Sequence, residues 1–231
     1  MLSKEISEIL SGCKERGWAM EPQAKEILRL SGVRTTEFIW ARDVHEAIRF
    51  ANHIGYPVVV KVVSPDVIHK SDVGGVAVGV SGDEKVAEVY TEMGKIKGFS
   101  GIIVEEMVHG TELIVGMKLD QQFGPVVLLG VGGTAVEIYK DVALRMAPIF
   151  ERDVDSMLKS VKARPLLEGY RGSEPINIEL LKKLLFAFSD MIMELGEEVD
   201  SIDLNPVICN ASKCVVTDAR MMLAINSGYA L

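Results

Sequence analysis

A lysine stands inside an otherwise apolar run, Val58-Val59-Val60-Lys61-Val62. Burying an ammonium without a partner is costly. Lys61 is therefore either a fixed positive charge for an anion such as phosphate or an edge-strand residue facing water. Just downstream lies His69-Lys70-Ser71-Asp72-Val73-Gly74-Gly75-Val76. The imidazole of His69 can accept a phosphoryl group covalently. Lys70 and Ser71 are donors of the kind phosphates favour, and Gly74 and Gly75 let main-chain N–H groups approach an anion closely. A plain hairpin turn is the competing reading of the glycine pair, and a histidine alone assigns nothing. With Lys61 upstream, the phosphate reading of the loop is preferred.

Two further segments carry chemistry. Val104-Glu105-Glu106-Met107-Val108 reads as a strand end whose main chain could meet an adenine edge, with Met107 and Val108 flanking the ring. Glu112 follows, placed to accept from a ribose; a solvated acidic turn is the alternative for each residue. In Ser201-Ile202-Asp203-Leu204-Asn205-Pro206, strand alternation puts Asp203 and Asn205 on one face and Ile202 and Leu204 on the other. Asp218 ends the apolar run Val215-Val216-Thr217 beside them. Asp203, Asn205 and Asp218 together form an oxygen set suited to Mg²⁺, which takes a few carboxylate or amide oxygens and completes its shell with water and phosphate.

Two signals point elsewhere. Gly130-Val131-Gly132-Gly133-Thr134-Ala135 fits G-x-G-x-x-A, a dinucleotide fingerprint. The long crossover helix that should follow is missing, so Gly132 and Gly133 read better as a turn facing a phosphate or a partner subunit. No G-x-x-x-x-G-K-[ST] loop occurs, and ATP would need another nucleotide fold. Arg145 lies in a strand-like run, Val142–Ile149, and is the arginine whose setting suits a phosphate clamp.

The elements that must position these residues alternate. Helical spacing covers residues 3–14, the segment opening at Glu21-Pro22, residues 44–54, 83–97, 157–161 and 179–194. Strand-like runs cover 56–63, 76–80, 101–107, 112–118, 125–130, 142–149, 199–204 and 214–218. This is an α+β or mixed α/β pattern, with a composition shift near Gly98–Gly101 as the expected lobe boundary. Lobes of 20–100 and 101–231 are expected, with a helix in 1–19 leading in.

The net charge is −8, with both signs interleaved. A nucleic-acid surface would need a basic stripe, and no apolar run approaches the roughly 20 residues of a membrane span. Nucleic acid and membrane are therefore not expected partners. Cys13, Cys209 and Cys214 form no C-x-x-C pair, and reduced thiols in a cytoplasmic protein are expected.

Taken in order, Lys61, His69–Val76, Glu105–Val108, Glu112, Asp203–Pro206 and Asp218 resemble the ATP-grasp (β) subunit of ADP-forming acetyl-CoA (acyl-CoA) synthetases, in the succinyl-CoA synthetase superfamily. Ser64–Val76, Phe123–Gly133 and Ile202–Pro206 look like that family's signatures, and the likeness runs from about Ala19 to Met222. It implies an ATP-grasp fold of two lobes with the nucleotide bound between them. It also implies a reaction, acyl-CoA + ADP + phosphate ⇌ carboxylate + CoA + ATP. In that scheme His69 is catalytic, with Arg145 set beside it as catalytic on its strand setting alone, and Lys61, Lys70, Ser71, Gly74, Gly75, Glu105, Glu106, Met107, Val108 and Glu112 meet ATP or ADP. Asn205 and Asp218 hold Mg²⁺, with Asp203 beside them or one shell out.

The chain has no room for a CoA-binding Rossmann domain. A CoA-binding α subunit carrying its own phosphohistidine is thus the implied partner, in an α2β2 heterotetramer. A succinyl-CoA synthetase β-like chain, a non-catalytic nucleotide sensor and an NAD module on Gly130–Ala135 remain the competing readings.

Overall fold

The computed structural model describes residues 2–132, 141–170 and 174–224. The chain divides into two compact units, one of Met1–Thr35 with His109–Leu231 and one of Thr36–Val108.

The smaller unit is a four-stranded antiparallel sheet with two helices. Its elements are β2 (Phe38–Ala41), α3 (Val44–Ile54), β3 (Val58–Val62), β4 (Val76–Val80), α4 (Asp83–Met93) and β5 (Ile102–Glu106), with strand order β2-β5-β3-β4. Asp43 caps α3 by accepting from the Glu46 N–H, and Gly55 ends it at φ 87°. Val58, Val60, Val62, Ile102 and Val104 form the buried core with Ala47, Ala51 and Val86 of the helices. The boundary expected at residue 100 moves to 108, because β5 pairs with both β2 and β3 and belongs wholly to this unit.

The larger unit begins with α1 (Lys4–Cys13), β1 (Trp18–Ala19) and α2 (Glu21–Leu30). After the smaller unit come β6 (Thr111–Asp120), β7 (Gly124–Val131), β8 (Val142–Met146), α5 (Glu151–Ser160), α6 (Arg164–Leu167) and α7 (Ile178–Leu195). The chain closes with β9 (Val199–Cys209), β10 (Cys214–Val216) and β11 (Ala219–Leu223). The sheet runs β1-β11-β9-β6-β7-β8, with β10 also on β9.

One face of this sheet is covered. Met117, Val127, Ile202 and Met221 lie in one cross-strand row and are all buried, packed with α7 residues such as Leu181, Leu185 and Phe188. The opposite face carries the alternate row Leu144, Leu128, Gly116, Asp203 and Arg220. Among the described residues, no helix is long and apolar enough to cross a membrane.

The cysteines differ from expectation. Cys209 and Cys214 face each other across β9 and β10 and form a disulfide, while Cys13 is a buried thiol. A spacing of five residues hid the pairing, because only the hairpin between them brings the two side chains opposite.

Candidate active site

In the smaller unit Lys61 does not face water. It is 5% exposed on β3, with its Nζ 2.6 Å from Oε1 of Glu105 on the neighbouring β5. Glu105 is 1% exposed, and its Oε2 accepts from the hydroxyl of Thr36, itself 2% exposed, at 2.5 Å. The ammonium is thus buried within a Thr36–Glu105–Lys61 chain. Removing one member of a buried ion pair leaves an uncompensated charge, at a cost of about 3–5 kcal/mol. The carboxylate of Glu105 is thus engaged by Lys61 and Thr36, whereas the adenine contact expected of this segment concerns its main chain. Glu106 is committed as well, since its Oε1 accepts from the Glu37 N–H at 3.1 Å. Met107 and Val108 are half-buried just beyond the end of β5.

Beyond β3 the chain leaves the sheet and returns at β4. Ser64 anchors the outgoing end: it is buried, its hydroxyl donates to the Lys97 carbonyl at 2.7 Å, and it accepts from the Asp66 N–H. His69 precedes a single 3₁₀ turn, Lys70–Val73, and is exposed. Gly74 closes that turn in the left-handed region, at φ 68°. Gly75 anchors the return, donating to Lys70 O at 2.7 Å and accepting from Val62 N at 2.8 Å. A Cβ on Gly75 would lie 2.4 Å from Val62 Cγ1. The glycine pair therefore has a structural reason at each position, and Ser71 stays on the exposed side of the turn with His69.

In the larger unit Asn205 and Asp218 are neighbours. The Asn205 N–H donates to the Asp218 carbonyl at 3.2 Å, and the Thr217 N–H and hydroxyl both donate to Pro206 O. On β9 both Leu204 and Val207 face the core, so Asn205 and Pro206 form an outward bulge between them. Asn205 is exposed there. Asp203 lies on the same outer face, opposite Arg220 of β11, with its Oδ2 3.8 Å from the guanidinium. Arg220 is the residue whose position the sequence reading did not single out; its alternation with Asp218 was the available signal.

Among the described residues no three His, Cys, Asp or Glu side chains gather into a cation site. An amide oxygen and a carboxylate from adjacent residues do fit Mg²⁺, which is commonly held by one or two carboxylates with phosphate and water completing its octahedron. Asp203, already paired to a guanidinium, fits a supporting place better than a ligand position.

Arg145, expected as a phosphate clamp, lies on β8. It is part-exposed, faces Val127 across β7 and β8 in the cross-strand row of Met117 and Ile202, and donates to Ser156 of α5 at 2.5 Å. Asp203 and Asn205 look out of the other face. Three strand spacings also separate β8 from β9, about 14 Å. Arg145 is thus engaged with Ser156 on the face opposite Asp203 and Asn205.

Gly132 is also used otherwise, since its N–H donates to the Glu112 carbonyl at 2.6 Å and a Cβ there would sit 3.0 Å from Glu112. Gly133 lies outside the described residues. Glu112 itself is exposed on β6, opposite Ile208.

Residues 12–223 match the ATP-grasp domain family. Over 212 residues the chain is 44% identical to the β subunit of acetate–CoA ligase [ADP-forming] I from Pyrococcus furiosus, a match spanning 88% of this chain and 91% of that one. The chain belongs to the ATP-grasp β subunits of the ADP-forming acid–CoA ligases. It is a ligase subunit. The corresponding ligase of Archaeoglobus fulgidus is 43% identical over 95% of this β chain, which spans only 33% of that longer protein. Acetyl-coenzyme A synthetase 1 of Ca. Korarchaeum cryptofilum, solved with coenzyme A and Ca-AMPCP, is similar in structure at a TM-score of 0.88. It is 42% identical, with 94% of this chain and 98% of that one aligned. A second structure of that protein holds Mg-AMPPCP, with its phosphohistidine segment pointing towards the nucleotide-binding site, at a TM-score of 0.84 and 40% identity; 94% of this chain and 99% of that one align.

Proposed function

We propose that this chain is the nucleotide-handling subunit that makes ATP from ADP in an ADP-forming acyl-CoA ligase, with His69 as the phosphoryl carrier. The observation that carries the reading is the loop itself. An exposed histidine stands at its tip, and both ends are tied down, Ser64 to the Lys97 carbonyl of the turn after α4 and Gly75 to Val62 of β3. Such a tether can present an imidazole to two places in turn without disturbing the strands that hold the nucleotide.

In this scheme a phosphoryl group arrives on an imidazole nitrogen of His69. A terminal oxygen of the ADP β-phosphate attacks the phosphorus, the P–N bond breaks, and the electron pair returns to the ring. Lys61 is the fixed cation for the nucleotide phosphates, with Lys70 and Ser71 as further donors. Asn205 and Asp218 would hold Mg²⁺, which when bound offsets charge on the transferring group. The net reaction is acyl-CoA + ADP + phosphate ⇌ carboxylate + CoA + ATP. Acyl chemistry falls to a separate CoA-binding α chain with its own histidine, assembled as α2β2 in the cytoplasm, where the ADP and CoA pools lie. The length of the Archaeoglobus relative supports a division of labour, since this chain matches one third of it.

The test is reconstitution. The chain mixed with its α partner should form ATP only when acyl-CoA, ADP, phosphate and Mg²⁺ are all supplied. Tight ADP binding with no turnover under those conditions would instead make the chain a nucleotide sensor.

A further inference from the structure

Thr36 lies outside every segment that carries the nucleotide reading, yet it bonds to the buried carboxylate that holds Lys61. We infer that Thr36 is a positioning residue for that lysine, acting through Glu105; the inference rests on Lys61 meeting the nucleotide phosphates, as proposed above.

An ammonium carries three donors on a freely rotating head at the end of a flexible stem, so its direction is set by whatever it is bound to. Here one partner is Glu105 Oε1, at 2.6 Å. A carboxylate can itself turn about its last bond, which is a broad, soft torsion. The Thr36 hydroxyl on Oε2, at 2.5 Å, removes that freedom by fixing the plane of the carboxylate. All three side chains are at least nine-tenths buried, so water does not compete for these bonds.

The three residues come from separate places in the sequence. Thr36 immediately precedes β2, Glu105 lies on β5 opposite Phe38 of β2 and Val59 of β3, and Lys61 is two residues along β3 from Val59. The main chain reinforces the arrangement, since the Glu106 N–H donates to Glu37 O next to Thr36. A threonine is well suited to this place. Its β-branched side chain restricts χ1, so the hydroxyl is aimed before the bond forms. A neutral donor also holds the carboxylate without competing for its charge, which remains for Lys61.

The test compares ADP with adenosine, which lacks the phosphates, by calorimetric titration of the assembled complex. Thr36→Val keeps the shape and removes the donor. It should weaken ADP about tenfold, the scale of one hydrogen bond to a charged group, and leave adenosine within about twofold. Thr36→Ser should restore ADP affinity. Wild-type ADP affinity in Thr36→Val, equal losses for ADP and adenosine, or failure of Thr36→Ser to restore binding would each overturn the inference.

The double variant Lys61→Met/Glu105→Gln separates this from the reading beneath it, because it deletes the pair without leaving a buried charge. If that variant binds ADP like wild type, Lys61 is not a phosphate contact and the parent reading fails. If it loses ADP while Thr36→Val does not, only the role of Thr36 fails.

Discussion

The main-chain N–H of Asn205 donates to the carbonyl oxygen of Asp218, at 3.2 Å. Residues thirteen apart in sequence are thereby fixed next to each other, at the outward bulge where Pro206 O takes two bonds from Thr217. If they share a cation, the metal dependence of nucleotide binding should reside in this pair. Asp218→Asn keeps the shape and removes the anionic ligand. ADP titrations with and without Mg²⁺ should show the Mg²⁺ enhancement reduced about tenfold or more, with metal-free affinity unchanged. An undiminished Mg²⁺ enhancement in the variant would move the cation elsewhere.

Arg145 gives the opposite expectation. Its guanidinium lies on the helix-covered face and donates to Ser156. Arg145→Met should therefore leave ADP affinity and turnover within about twofold, and its cost should appear in stability, at about 0.5–1.5 kcal/mol for the lost hydrogen bond. A fall in turnover without a fall in stability, followed by assay and urea denaturation together, would place Arg145 in the site.

The two glycines that close the His69 loop should respond differently. Gly74 needs a left-handed backbone but has open space for a Cβ, so Gly74→Asn should be mild. Gly75 is pinned by two main-chain hydrogen bonds, and its Cβ would meet Val62 Cγ1 at 2.4 Å. Gly75→Ala should destabilise by about 1–3 kcal/mol, as overpacking does. Chemical denaturation of both variants checks the order.

Tyr56 supplies a pH signature away from the site. Burial, then the hydrogen bond to Asp83 and its negative charge, push the phenol from 10.0 to about 12. The protonated phenol is thus favoured in the folded state. Its contribution is complete below about pH 10, the ordinary phenol value, and is lost as pH rises through about 12. In Tyr56→Phe, stability should decline less than wild type between those values, followed by thermal melts at successive alkaline pH. Parallel declines would remove Tyr56 from the alkaline transition.

How much of this could be read beforehand depended on how each residue takes its neighbours. Residues 44–54 and 76–80 were legible to the residue, because Asp43 and Gly55 punctuate the helix and valines mark the strand. Asp203 and Asn205 were correctly set on one face by alternation alone. The strand that carries them reads as ending at Leu204, before Pro206; the bulge lets β9 continue to Cys209. β2 went unread because Phe38–Ala41 is too short for a period to emerge. The face of Arg145 was not legible for want of register: alternation tells which residues share a face, but only the pairing with Val127 tells which face is covered. The side-chain partners of Glu105 were not legible, because nothing in its own segment reveals that Lys61 and Thr36 converge on it.

The central claim is that His69 carries the phosphoryl group. Its most direct measurement is covalent labelling of the assembled complex by γ-labelled ATP and Mg²⁺, followed on this chain and compared with His69→Asn. Label on the wild-type chain that is acid-labile and alkali-stable, and absent from His69→Asn, is the expected result. Label of equal strength in both would put the phosphoryl group on another residue and contradict the mechanism.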